Sequence, residues 1–226
     1  MLALTRSKQD YLKALFALSP AGDAVPTSRL AAHLGVKAPS VTNMIARLSA
    51  EKLVLHSPRA GARLTARGRH EALGIVRRHR ILEAFLVRVL GLDLAEVHED
   101  AEVLEHHVSG RLLEAIDRLM QRPTEDPHGH PIPDAKGRLA KRSLLPLAAL
   151  ARGARAKVRE IDDEDARRLA RWRELGLVPG AAVRVCEIRR LDGVVELEVA
   201  GRRHVTSIAS VEGIQVQPAR RGPHGS

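Results

Sequence analysis

The sequence predicts a mainly α chain with a small β domain: an N-terminal winged helix-turn-helix, a helical metal-binding and dimerisation domain, and a C-terminal β-barrel. Three observations carry this. Two short apolar-periodic segments meet at Gly35 and are followed by Pro39, which is the punctuation of two helices joined by a tight turn. Residues 98–109, HEDAEVLEHHVS, set His98, Glu102, Glu105 and His106 on one face of a helix advancing about 100° per residue. From Ala182 onward, helical spacing gives way to alternation.

Taken in order, Tyr11, Leu12, Leu15, Phe16 and Leu18 recur at helical spacing, and Pro20 to Asp23 end that helix. Thr27 or Ser28 caps a second short helix, which Gly35 stops, and Pro39 sits in the first turn of a third. Residues 53–56 and 63–65 are short strands around a loop, the wing. The third helix then enters the major groove, presenting Lys37, Ser40, Thr42 and Asn43, with Pro39 and Arg47 beside them, while Arg59 and Arg63 meet phosphate. The next helix runs from Thr65 to Leu90 with a break near Gly74. Its Leu82, Phe85, Leu86, Val89 and Leu90 exceed what one small core uses, which points to a dimer interface.

His79 and Glu83 form a second i, i+4 pair, so two helices each offer a ligand face, enough for one or two metal sites. The same composition also suits a solvated acidic helix. A further helix begins near Leu112. Residues 123–133 hold four prolines and form a rigid loop in which His128 and His130 read as turn residues first and as candidate metal ligands second. Residues 134–150 read as a linker ending in an apolar patch. A helix with an acidic start at Asp163 then leads to strands over 182–188, 194–199 and 204–208, with Asp192-Gly193 as a hairpin turn. The expected domains are 1–70, 71–140, a linker over 141–152, 153–218, and a disordered tail over 219–226.

Charge separates the parts. The 226 residues carry a net charge of +10. Residues 1–70 hold 11 Lys/Arg against 3 Asp/Glu, whereas residues 92–117 hold eight acids and one Arg. The front suits phosphate and the middle suits cations. Aromatic residues at 2% argue against single-strand binding through stacking, so double-stranded DNA is the expected polyanion. The single Cys186 excludes an intrachain disulfide framework and a Cys-rich zinc module. With no apolar run of membrane-span length and no signal-peptide pattern at the start, the expected location is cytoplasmic with no membrane partner. A metalloenzyme is the weaker alternative, since neither His-Glu-x-x-His nor a Glu-x-x-His pair on the central helices occurs. A winged regulator indifferent to metal is the third reading.

Asp10-Tyr-Leu, Ser40-Val-Thr, Leu64-Thr-Ala-Arg-Gly, Arg78-His79-Arg, Glu105-His106-His and Pro127-His-Gly-His-Pro-Ile-Pro, in this order and spacing, resemble the diphtheria-toxin-repressor-like metalloregulators. The last third is similar to the SH3-like domain of longer members and to ferrous-iron-transport accessory domains. This resemblance implies a homodimeric, metal-activated repressor of metal-uptake genes acting on a palindromic operator, with two metal sites per subunit. It maps a primary site onto Asp10, Glu102, Glu105 and His106, and an ancillary site onto His79, Glu83 and His98, with Asp165 as the barrel's contribution. Iron-type members carry Met and Cys where this chain has Asp10 and Glu102. Short manganese-type members have a carboxylate where this chain has Lys13, so their closely paired arrangement does not transfer. Oxygen-rich ligands without sulfur favour Mn2+, with Fe2+ as the alternative.

Overall fold

The computed structural model describes residues 4–162 and 165–219, in two compact units. The first takes the chain up to His79 together with Glu105–Val108 and Pro133–Leu139, and the second takes Arg80–Leu104, Ser109–Ile132 and the chain from Ala140 onward.

In the first unit, α1 (Arg6–Leu18), α2 (Thr27–Leu34) and α3 (Ala38–Ala50) surround a core in which Leu12, Leu15, Leu30, Ile45, Leu48 and Leu53 are fully buried. Gly35 closes α2 in the left-handed region, at φ 63°, as the punctuation predicts. Pro26, rather than Thr27 or Ser28, holds the N-cap position of α2, and no side chain caps it. The wing is the antiparallel pair β1 (Val54–Ser57) and β2 (Gly61–Leu64), extended by a bridge from Ala62 to Val25.

α4 (Ala66–Arg88) starts under Thr65, whose Oγ1 accepts from the Gly68 N–H at 2.9 Å and itself donates to the Lys52 carbonyl at 2.8 Å. Gly68 lets the start of this helix pack against the wing: a Cβ there would stand 1.9 Å from the Leu53 carbonyl oxygen. Gly68→Ala is therefore expected to destabilise the protein by about 2–3 kcal/mol, against the roughly 1 kcal/mol that Ala normally gains over Gly inside a helix. Urea denaturation measures it, and a stability equal to or above the parent's refutes the close approach.

α4 runs unbroken through Gly74, so the expected interruption is absent. Its surplus apolar residues divide, with Leu82 and Leu86 buried within the chain and Val89 and Leu90 exposed. In the second unit, α5 (Val97–Leu104) and α6 (Gly110–Leu119) follow. Ser109 caps α6 by accepting from the Leu112 N–H at 3.2 Å, and this start forces the preceding helix to stop early. Glu105 and His106 accordingly lie in the turn between α5 and α6, not on the helix with His98 and Glu102.

The rest of this unit is a six-stranded antiparallel sheet in the order β3-β8-β4-β5-β6-β7, with β3 (Leu145–Pro146), β4 (Arg155–Ile161), β5 (Ala182–Arg189), β6 (Val194–Val199), β7 (Arg202–Ser207) and β8 (Ile214–Pro218). α7 (Ala166–Glu174) buries Leu169 and Trp172 in its core, and the Trp172 indole N–H donates to the Ser210 carbonyl at 2.7 Å. The expected linker is partly sheet: Leu145 pairs with Val216, and Leu147 and Leu150 enter the core. Asp163, Glu164 and residues 220–226, on which the acidic helix start and the disordered tail were expected, lie outside the described residues.

Candidate metal centres and DNA-recognition face

In the first unit, α1 brings Asp10 to the turn carrying Glu105 and His106. His106 Nε2 lies 3.0 Å from Asp10 Oδ1 and 3.6 Å from Glu105 Oε1. The ring is oriented from behind. Gln9 donates its amide N–H to the Leu4 carbonyl at 3.0 Å, so its oxygen faces His106 Nδ1 at 2.7 Å and fixes the proton there. Nε2 is left with its lone pair directed at two carboxylates. Glu105 Oε1 and His106 Nε2 are both buried and without a hydrogen bond. Electron-rich atoms crowded this way in a buried site suit a divalent cation, and the donors, carboxylate oxygens and one imidazole, are those of manganese, iron or zinc.

Glu105 is the hub of this cluster. Its side chain is fully buried, and its other oxygen lies 2.8 Å from Lys13 Nζ and 2.6 Å from His79 Nδ1, with Lys13 Nζ also 3.0 Å from the same imidazole nitrogen. The Glu105 carbonyl accepts from Arg78 Nε at 3.0 Å, which pins the turn. Burial lowers the pKa of the Arg78 guanidinium, and the carboxylates of Glu105 and Glu71 offset part of that shift. Glu102 stands on the last turn of α5, in the second unit.

The second unit holds its own cluster on the side chain of Glu83, fully buried on α4 one turn beyond His79. Oε1 is 3.4 Å from His98 Nδ1, and Oε2 is 3.6 Å from His128 Nδ1. Glu83, Asp126 and His128 all offer ligand atoms within 4.8 Å of one another. His128 comes from the proline-rich loop and is completely buried, whereas the sequence had it as a turn residue. Four prolines masked it, and spacing offers no signal because its partners lie on other elements. Asp165 instead caps α7, exposed, with Oδ1 accepting from the N–H groups of Arg167 and Arg168 at 2.9 and 3.2 Å.

On α3, Val41, Ile45 and Leu48 face the core, leaving Pro39, Ser40, Thr42, Asn43 and Arg47 exposed, with Lys37 at the N-cap. Thr42 Oγ1 donates back to the Ala38 carbonyl at 3.2 Å, so its hydroxyl is already engaged. Arg59, in the loop of the wing, and Arg63, on β2, are also exposed.

Residues 3–62 match the family described as iron dependent repressor, N-terminal DNA binding domain, and residues 65–134 match its metal binding and dimerisation domain. Residues 145–218 match the FeoA domain. The HTH-type transcriptional regulator MntR of Bacillus subtilis (strain 168) is 32% identical over 122 residues, 54% of this chain and 85% of that protein. The chain belongs to the diphtheria-toxin-repressor-like family of metal-dependent transcriptional repressors. A longer relative in the family is the iron-dependent repressor IdeR of Mycobacterium leprae (strain TN), 27% identical over 80% of this chain and 84% of its own. Among solved structures, a manganese-dependent transcriptional repressor in complex with manganese superposes with a TM-score of 0.87 at 36% identity, covering 93% of this chain and 99% of that one. The family thus accounts for the winged unit, the helical segment and the SH3-like sheet in one chain. No helix among the described residues is long and apolar enough to cross a membrane.

Proposed function

We propose that this repressor is manganese-responsive, with Fe2+ as the alternative ion, and that it binds a palindromic operator as a homodimer. The observation that carries the reading is the sulfur-free set Asp10 Oδ1, Glu105 Oε1 and His106 Nε2, drawn together in a buried site. We add Glu102 to this primary site, and we assign His79, Glu83 and His98 to a second. A divalent ion bound at the primary set supplies the positive charge that holds its donors together. Asp10 belongs to the helix that packs with the recognition unit's core, and Glu105 and His106 belong to a turn continuous at both ends with α5 and α6. Fastening that turn to α1 fixes the recognition helix against the dimerising segment, and in a dimer this sets the spacing of two such helices. Lys37, Pro39, Ser40, Thr42, Asn43 and Arg47 then meet the major groove, and Arg59 and Arg63 meet phosphate.

Exposed Val89, Leu90, Val103, Leu104, Leu112 and Leu119 support the homodimer, because all lie on the helical segment and a second copy would bury them. Manganese is favoured over zinc on coordination number: an oxygen-rich six-coordinate ion engages Asp10, whereas a four-coordinate ion can bind without it. A duplex selected from random sequence by repeated rounds of binding serves as the probe. Fluorescence anisotropy should show Mn2+ tightening binding on the order of 10³-fold or more over chelated protein, with Fe2+ comparable or less and Zn2+ activating poorly. Equal affinity with and without chelator defeats metal dependence, and full activation by Zn2+ alone defeats the manganese reading.

A further inference from the structure

We propose that the solvent face of β4 and β5 in the sheet domain is a second DNA-contacting surface, which holds the phosphate backbone of duplex flanking the recognition site. Strand pairing builds it. Arg155 on β4 stands directly opposite Arg184 on β5, and both are exposed. Like charges opposite each other across a ladder repel, so this pair weakens the sheet unless something anionic lies over it. Lys157, two residues along β4, points to the same face and is also exposed. The bulge after Val158 adds a fourth cation. Arg159 reaches that face, where its Nε and Nη2 donate to Gln217 Oε1 at 2.9 and 2.6 Å, and Gln217 lies opposite Lys157.

Elsewhere the domain neutralises its arginines. On β7, Arg203 Nη1 lies 3.1 Å from Glu196 Oε1 of β6, and on α7 Arg171 pairs with Glu174 at 2.9 Å. The β4 side is supplied with no such acid. Among the described residues, Arg155, Lys157 and Arg159 have no carboxylate partner, and Arg184 has only Glu198 at 3.9 Å. Glu160 faces Arg142 instead, at 3.4 Å. The residues interleaved with the cations are Ala182 and Gln217, both opposite Lys157. Four cations set among neutral side chains complement a polyanion.

The face also selects among polyanions. Alternate residues of a strand lie about 6.7 Å apart, close to twice the roughly 3.4 Å step between successive phosphates of one DNA strand. No aromatic residue occurs in β4 or β5, so there is no platform for stacked bases, and the contact is with a duplex backbone rather than a single strand. An anionic membrane would call for apolar anchors beside the cations, and the neighbours here are Ala182 and Gln217. A repressor held on its site already has duplex DNA at hand, at an effective concentration that makes weak phosphate contacts count.

Fluorescence anisotropy of the full-length, Mn2+-loaded protein tests this with two duplexes, the selected site alone and the same site inside long flanks of random sequence. The parent should bind the long duplex more tightly and with a steeper salt dependence. Arg155→Gln, Lys157→Gln and Arg184→Gln combined should leave the short duplex unchanged and abolish the gain from the flanks. The slope of log affinity against log salt on the long duplex should flatten by about 2–3, at roughly 0.9 per lost phosphate contact. The same flattening is expected on wholly random duplex under chelator, so the result does not depend on the ion that activates the protein. Relief of the Arg155–Arg184 repulsion should keep thermal stability at or above the parent's, which separates lost contact from lost folding. Identical slopes for parent and variant overturn the inference. An equal loss from Arg167→Gln, Arg171→Gln and Arg190→Gln, on α7 and the turn after β5, assigns the effect to net charge and also overturns it. Binding to phosphatidylserine vesicles that the triple variant loses, with DNA slopes unchanged, assigns the face to a membrane and overturns it likewise.

Discussion

Glu105→Gln is expected to abolish metal-activated operator binding and to lower affinity for the first ion by at least the ~10–100-fold that even an outer-sphere partner is worth. The side chain is fully buried, with one oxygen turned to His106 and the other to Lys13 and His79. The amide keeps the volume and removes the charge. It also sets an N–H against Lys13 or His106, neither of which is a suitable acceptor when protonated or metal-bound. Lys13 then loses the Glu105 carboxylate as a neighbouring charge, so stability falls as well, by less than the several kcal/mol of a fully buried ion pair because Lys13 retains some exposure. Manganese titration of DNA binding measures the first effect and thermal denaturation under chelator the second. A variant that still binds operator on manganese addition removes Glu105 from the site.

Leu112→Glu combined with Leu119→Glu is expected to convert the proposed dimer to a monomer. The two leucines are seven residues apart, hence on one face of α6, and both are exposed in the single chain. In a two-fold interface each occurs twice, and burying four leucines is worth roughly 6–12 kcal/mol at about 1.5–3 kcal/mol apiece. Replacing them with carboxylates removes that term and adds four charges to be desolvated. Sedimentation velocity at micromolar concentration should show a single species near the 24.7 kDa of one chain. Operator affinity should fall to that of one half-site. A dimer that persists places the interface on another face, with Val89, Leu90, Val103 and Leu104 the remaining exposed apolar set.

The parts of the fold legible in the sequence are those whose signals are local. Gly35 and Pro39 punctuate α2 and α3 within five residues of each other, and the alternation of 194–199 returns as β6 without a shift. Where the signal was broken, the reading failed. In β4 the register shifts between Val158 and Glu160, so the alternation of residues 155–161 loses its phase and no strand was read there. The sequence singled out Asp10, Glu105 and His106, which the fold brings together, but it misplaced two of them. Helical periodicity joined Glu105 and His106 to His98 and Glu102, but Ser109 starts α6 and leaves the first two in a turn. Gln9 was missed for a different reason: its role arises from a neighbour's carbonyl brought close by folding, and a sequence shows no such tautomer-setting contact.

The ammonium of Lys13 beside Glu105 separates two events that are fused in many small metalloproteins. Where the ion is the sole neutraliser of its carboxylates, stripping it unfolds the chain, and the affinity for metal is spent largely on folding. Here the chain carries a positive charge of its own against Glu105, so the proposed regulator should stay folded when metal is stripped, and occupancy rather than folding should set how much of it binds DNA.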